Sequence, residues 1–416
     1  MRMYAPGWTF PLPVPRRPRQ ARFAIPERLP LIIPSVLLVF IFLIPLETLG
    51  HEAETSSLTV SRLAGMALVG VCILRPRLLL RCPDRLTLCG FALMTMALLQ
   101  TTFMATEHIG YALGRYMTWI QMLLFYHLVR PLLADPALHL RALYAYIAGS
   151  VVTAILLVRG QGLNVVMEDK GRSALGNLDP NVQAAVLGLA AIWLLAILLQ
   201  SQRTARRVPV WIGWPLVALL VGASLLTGSR GALMALCIAL LALPMLGGAR
   251  VSLVRSLAIV FMGLGIVAVV ASQNEAFMRR LERSIEQGDT AGRDYIFASS
   301  LDLWLRRPLL GWGLGNNEFE LGSYTNTPLR DMHSNYLYAL TAGGVVGGCM
   351  LVGMFWIILR SAWKLPPGRQ RQAAIAGVIY VCAFGATVTV LFFKFFWVAL
   401  VWATPAATCS VVEGGR

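Results

Sequence analysis

The sequence predicts an all-α fold: a polytopic membrane protein of about 12 transmembrane helices, each long enough for a bilayer core, with a helical cap between the ninth and tenth. Three observations predict it. Of the 416 residues, 57% are hydrophobic and 13% charged, and the mean hydropathy is +0.67, whereas soluble domains carry about 25% charge. Apolar runs of about 20 residues, the length a helix needs to cross roughly 30 Å of hydrocarbon, recur along the chain. Finally, the longest polar stretch, 272–335, contains amphipathic patterns at helical spacing.

The apolar runs lie near 30–46, 58–74, 86–105, 111–129, 142–158, 181–200, 208–226, 231–247, 256–271, 336–359, 373–391 and 395–411, the last two split only by Lys394. Residues 1–29 are Pro- and Arg-rich and lack a small-residue cleavage site after an apolar stretch, so they read as a tail before a signal-anchor helix. Residues 30–271 then carry helices one to nine, 272–335 the long loop and 336–416 helices ten to twelve. With the tail inside, 22 of the 36 basic residues fall on inside segments and 12 outside, seven of those 12 in the long loop. Because the positive-inside rule counts short loops, both termini are expected in the cytoplasm. The net charge of +16 is then topology and contact with anionic lipid, and no nucleic-acid partner is expected. None of the seven cysteines falls in an outside loop, so no structural disulfide is expected.

Chemistry is expected in the outside loops, which are long and polar while the inside connections are short and basic. The long loop holds EAFMRRLERSIEQ, with Phe277, Leu281 and Ile285 on one stripe, and GRDYIFASSLDLWLRRP, with Phe297, Leu301, Trp304 and Leu305 on another. A cap lying on the membrane surface, its stripes facing lipid or the bundle, follows. Of five histidines, His333 alone ends the polar stretch directly before a long apolar helix. A helix N-terminus disfavours imidazolium and leaves a neutral base available near pH 7.

Arginines are the second constellation. Arg230 sits in TGSRG, a tight outer hairpin that needs no charge; Arg172 lies in the 159–180 loop, Arg293 opens the second cap helix, and Arg62 and Arg115 stand near the outer ends of their helices. Ionisable residues in membrane segments are costly unless they snorkel or pair. Guanidiniums converging on one face suit a phosphate or pyrophosphate, gripped by bidentate hydrogen bonds. GWGLG (311–315) has no strand before it and no Lys-Ser/Thr after it, so it reads as a turn that lets the chain double back. GNLDPN (176–181) is a turn into the sixth helix. The outside acidic residues lack metal-ligand spacing, and neither a metal nor a cofactor is expected.

Four segments, GRSALGNLDPNVQAAVLGL, LTGSRGALMAL, GRDYIFASSLDLWLRRPLLGWGLGNNEFE and MHSNYLYALTAGGVVG, in that order with membrane helices between, resemble the O-antigen ligase and O-antigen polymerase superfamily. The resemblance spans roughly residues 165–360. Many members read His-Asn directly; here Ser334 stands between His333 and Asn335. The resemblance implies a glycosyltransferase of the bacterial inner membrane with its active site on the periplasmic face. The donor would be a glycan on undecaprenyl pyrophosphate and the acceptor a sugar hydroxyl of lipid A–core. It implies His333 as base, Arg230 and Arg293 at the leaving pyrophosphate, and substrate-binding roles for Arg172, Arg115, Arg62, Asn181, Asn335 and Tyr336. Inversion at the anomeric centre is likewise implied, without a metal. A polymerase, with a second carrier-linked repeat as acceptor, shares these motifs. A secondary transporter would need two similar halves and polar groups at mid-membrane, and neither is seen.

Overall fold

The computed structural model describes residues 30–47, 59–104, 107–163, 172–176, 178–198, 209–246, 292–365 and 369–404, with isolated positions between 261 and 286. Among these the chain is helical, with no strand beyond a single bridge between Leu163 and Leu175. The principal helices are α1 Ile32–Leu43, α2 Val60–Ile73, α3 Arg85–Phe103, α4 Ile109–Leu132, α5 Pro136–Val158, α6 Pro180–Leu198, α7 Val210–Leu226 and α8 Arg230–Ala242, then α9 Arg293–Arg306, α10 Asn316–Tyr324, α11 Asn335–Trp363, α12 Arg369–Gly385 and α13 Lys394–Ala403.

Side-chain caps set several of the starts. Asp84 accepts from Thr87 N–H at 2.8 Å before α3, and Asp135 accepts from Ala137 N–H at 2.9 Å before α5, whose first residue is Pro136. Four helices, α3, α5, α6 and α11, are long and apolar enough to cross a membrane on length and composition. Shorter apolar helices stand at five of the other eight expected spans, and α4 and α12 stand at two more. The ninth, 256–271, lies largely outside the described residues, as do the tail and most of the first cap pattern.

The centre of the bundle is α6. It is apolar all round and buried from Val182 to Ile197, as a helix with no polar face must be. It packs against α5, α7, α8 and α12. Close approach to α12 is allowed by glycine: a Cβ on Gly188 would lie 2.1 Å from the Tyr380 hydroxyl, and one on Gly377 2.6 Å from Trp193 Nε1. The buried Trp193 indole donates to Ala373 O at 3.0 Å, which satisfies its one polar atom.

Two places depart from a simple bundle. Helix α11, about 44 Å long at 1.5 Å per residue, breaks at Gly344 (φ 62°, ψ −160°). The loop 308–313 fits into the break: Trp312 N–H donates to Thr341 O at 2.8 Å, Gly313 N–H to Ala342 O at 2.9 Å, and Val345 N–H to Pro308 O at 2.7 Å. The loop thus supplies partners that an interrupted helix would otherwise leave unmet. Gly311, Gly313 and Gly315 all have positive φ, which is how GWGLG turns back so tightly.

The second departure lies at the C-terminal end. The apolar run expected to continue as helix to residue 391 stops at Gly385, and α13 begins only at Lys394. At ten residues α13 is about 15 Å long, half a bilayer core. Residues 388 and 390–392 in the intervening segment are buried, and non-helical backbone at membrane depth is tolerated only inside protein.

The cap helix α9 also faces differently from its most obvious stripe. Ile296, Ser299, Ser300 and Leu303 turn inward, leaving Leu301 and Leu305 exposed.

Candidate active site

Three turns build the site, each ending in a helix start at the same end of the bundle. In the first, Asp179 Oδ1 accepts from the N–H groups of Asn181 (2.7 Å) and Val182 (3.4 Å), capping α6 in front of Pro180. In the second, α7 ends at Thr227, Gly228 takes φ 67°, and Ser229 caps α8 by accepting from Ala232 N–H at 3.4 Å, so that Arg230 is the first helical residue. In the third, Gly292 at φ 72° sets Arg293 as the first residue of α9.

A fourth helix start brings the histidine. Ser334 caps α11 through Leu337 N–H at 3.4 Å, and His333 precedes the cap with φ 50°. That left-handed conformation is uncommon outside glycine, though histidine adopts it more readily than most, and it clusters at functional positions.

These pieces enclose a cavity of about 200 Å³ lined by Arg172, Asp179, Asn181, Gly228, Arg230, Arg293 and His333. Four residues expected from the arginine and histidine reading therefore meet in space, and Asn181 joins them. The 172–176 segment is sewn to its neighbours: Ser173 N–H donates to Leu226 O at 3.0 Å, Arg172 Nε to Thr227 O at 2.9 Å, and Arg172 Nη2 to Asn181 Oδ1 at 3.1 Å. Three guanidiniums face one carboxylate, and the N-termini of α6, α8 and α9 each add partial positive charge. The site is built for an anion. At 200 Å³ it is smaller than the roughly 300–1,000 Å³ that encloses a drug-sized ligand, so it suits a head group and not a whole glycan.

Burial pushes the His333 imidazole below its ordinary range; Arg293 and Arg330 add to the shift, while Asp331 and Asp179 oppose it. Its Nδ1 is buried without a hydrogen-bond partner among the described residues. A neutral imidazole beside a cationic cavity can accept a proton from a group delivered there.

The structure does not bring the remaining expected residues to this cavity. Arg115 instead pairs with Glu318 of α10 at 2.6 Å and donates to the Tyr111 hydroxyl at 3.1 Å. Asn335 is buried and accepts from Val390 N–H at 2.7 Å, serving the non-helical segment before α13. The Tyr336 hydroxyl donates to Cys382 O at 3.1 Å, joining α11 to α12. Arg62 lies on exposed α2 near Lys394, which is paired with Glu47 and donates to Ser61 Oγ at 3.0 Å. The polar groups of Arg115, Asn335 and Tyr336 thus serve pairing between elements.

Two lining residues went unread in the sequence. Asp179 is one of the outside acids without metal-ligand spacing, and Gly228 belongs to the TGSRG hairpin. A signal for Asp179 existed: Asp-Pro-Asn is a cap followed by proline at the first helical position, the same outer helix start that marked Arg230.

Residues 215–352 match the model of the family described as O-Antigen ligase. That segment, about a third of the chain, is similar to the O-antigen ligase family. The match runs from within α7 to α11 and includes Arg230, Arg293 and His333. The match and the four helices long and apolar enough to cross a membrane together point to an integral membrane protein similar to that family. No curated protein matches it.

Proposed function

We propose that the protein is an O-antigen ligase: it transfers a glycan from undecaprenyl pyrophosphate to a sugar hydroxyl of lipid A–core at the periplasmic face of the bacterial inner membrane. The observation that carries the reading is the cavity in which Arg172, Arg230, Arg293 and His333 converge.

In this reading the arginines and helix N-termini hold the pyrophosphate. They stabilise the charge that develops as the bond between the anomeric carbon and the phosphate oxygen breaks and its electron pair leaves with the carrier. The acceptor oxygen forms the new bond from the opposite side, inverting the centre, and its proton passes to His333. With the leaving group stabilised in this way, the residues named need no general acid. About 12 spans, cytoplasmic termini and a periplasmic loop over 272–335 complete the reading.

A polymerase would use the same cavity with a carrier-linked repeat as acceptor, so the deciding experiment reads products. In a strain lacking the gene, bare core on a lipopolysaccharide gel with polymer accumulating on the carrier supports the ligase. Core bearing a single repeat moves the assignment to the polymerase. Unchanged lipopolysaccharide together with loss of transport of another solute would favour the transporter instead.

A further inference from the structure

The segment that delivers His333 is held from several sides. Arg330 N–H donates to Glu318 O at 3.0 Å, and Met332 is fully buried, its sulfur 3.7 Å from the Asn317 amide. Between them Asp331 reaches both ways with one oxygen: Oδ1 accepts from His333 N–H at 2.9 Å and from the Thr389 hydroxyl at 2.6 Å. Thr389 belongs to the non-helical, largely buried segment between α12 and α13, far along the chain and outside the matched domain.

We propose that Asp331 and Thr389 are positioning residues for His333: Thr389 fixes the carboxylate, and the carboxylate fixes the left-handed turn that sets the imidazole in the cavity wall. The proposal rests on the reading of His333 as proton acceptor. Asp331 bonds the histidine's backbone and not its ring, so this is no carboxylate–imidazole relay of the serine-hydrolase kind. Its effect is on geometry. A non-glycine residue at φ 50° stays there only when neighbours over-determine it, and an aspartate accepting from the N–H two residues on is such a neighbour.

Several charged groups bear on His333, with Arg172 and Arg230 lining the same cavity. Asp331 and Arg330 come from its own segment, Arg293 from α9 and Asp179 from the cap of α6. Asp331 favours the imidazolium; removing its charge while keeping its oxygen therefore moves the protonation of His333 to lower pH.

The test uses the full chain in lipid nanodiscs, an undecaprenyl pyrophosphate-linked glycan as donor and lipid A–core as acceptor. kcat, donor KM and the pH–rate profile are measured for wild type, Asp331→Ala, Asp331→Asn, Thr389→Val and Thr389→Ser, with size-exclusion profiles to score folding. Asp331→Ala is expected to lose about 100-fold in kcat, the order that a misplaced catalytic group costs, with donor KM little changed. Thr389→Val is expected to lose on the order of 10-fold, and Thr389→Ser to restore most of it. Asp331→Asn should retain more rate than Asp331→Ala, with the acidic limb of its profile displaced to lower pH. Folded Asp331→Ala and Thr389→Val proteins that turn over at the wild-type rate overturn the proposal, and so do rates that fall only in step with the folded fraction while the acidic limb stays in place. Transfer retained by His333→Ala would instead overturn the reading of His333 itself, which keeps the two failures distinct.

Discussion

Arg115 and Glu318 form an ion pair, Nη2 to Oε1 at 2.6 Å, that joins membrane helix α4 to cap helix α10, with the Glu318 side chain fully inaccessible and that of Arg115 half-buried. The arginine also lies over the rings of Tyr111 and Phe392. Burial holds the Glu318 carboxyl above its usual range despite the guanidinium beside it. The pair therefore ties the cap to the bundle. Glu318→Ala leaves the half-buried Arg115 without its partner, and the expected loss is about 1–3 kcal/mol. Replacing both partners, as in Arg115→Met with Glu318→Leu, should recover much of it. Thermal unfolding in detergent reads both, and an unchanged midpoint for the single variant would refute the structural role.

His333→Ala should abolish transfer at unchanged expression. In the wild type the rate should rise with pH along an acidic limb centred below the ordinary histidine range, because the neutral ring is the active form and burial stabilises it. The pH–rate profile of purified protein decides; a limb above pH 7 would contradict the assignment.

For Arg230→Ala the expected fall in transfer is about 10²–10³-fold, the cost of removing one donor from a developing anion. Arg230→Lys should recover little, since an ammonium lacks the planar fork that grips two oxygens at once. Steady-state rates at saturating donor separate this from weaker binding alone.

Asn335→Ala leaves Val390 N–H without its partner and should cost about 1–3 kcal/mol of stability. Donor KM should hardly move. A large KM change with an unaltered melting midpoint would return Asn335 to the substrate site.

Gly344→Ala should be strongly destabilising. The added Cβ would fall 2.2 Å from Leu309 backbone atoms at φ +62°, combining left-handed strain with overpacking, each worth about 1–3 kcal/mol. Size-exclusion chromatography after mild heating measures it, and a wild-type profile would show that the break in α11 yields easily.

Much of the site was legible because of where its residues fall. Arg230, Arg293, Arg172 and His333 open or precede outer helix starts in a chain with little charge to spare, where packing alone does not call for them. Asn181 came from the family resemblance, and Asp179, two residues before it in the same turn, did not. Arg115, Asn335 and Tyr336 share the outer depth and the motif neighbourhood, yet their side chains turn to Glu318, Val390 and Cys382. The GWGLG turn was legible as a turn, but its insertion into the break at Gly344 was not, since neither segment names its partner.

By itself the sequence determined composition, helical class and the depth of each polar residue along its helix, because apolar run length and the helical period are local properties of the chain. Tertiary structure alone decided which face each residue turns to its neighbours. It set Arg172, Arg230, Arg293 and His333 around one cavity, gave Arg115 to Glu318, and placed Thr389 on Asp331. The physical reason is that azimuth and neighbour are fixed by close packing among helices far apart in the chain, and periodicity along one helix carries no information about the helix that meets it.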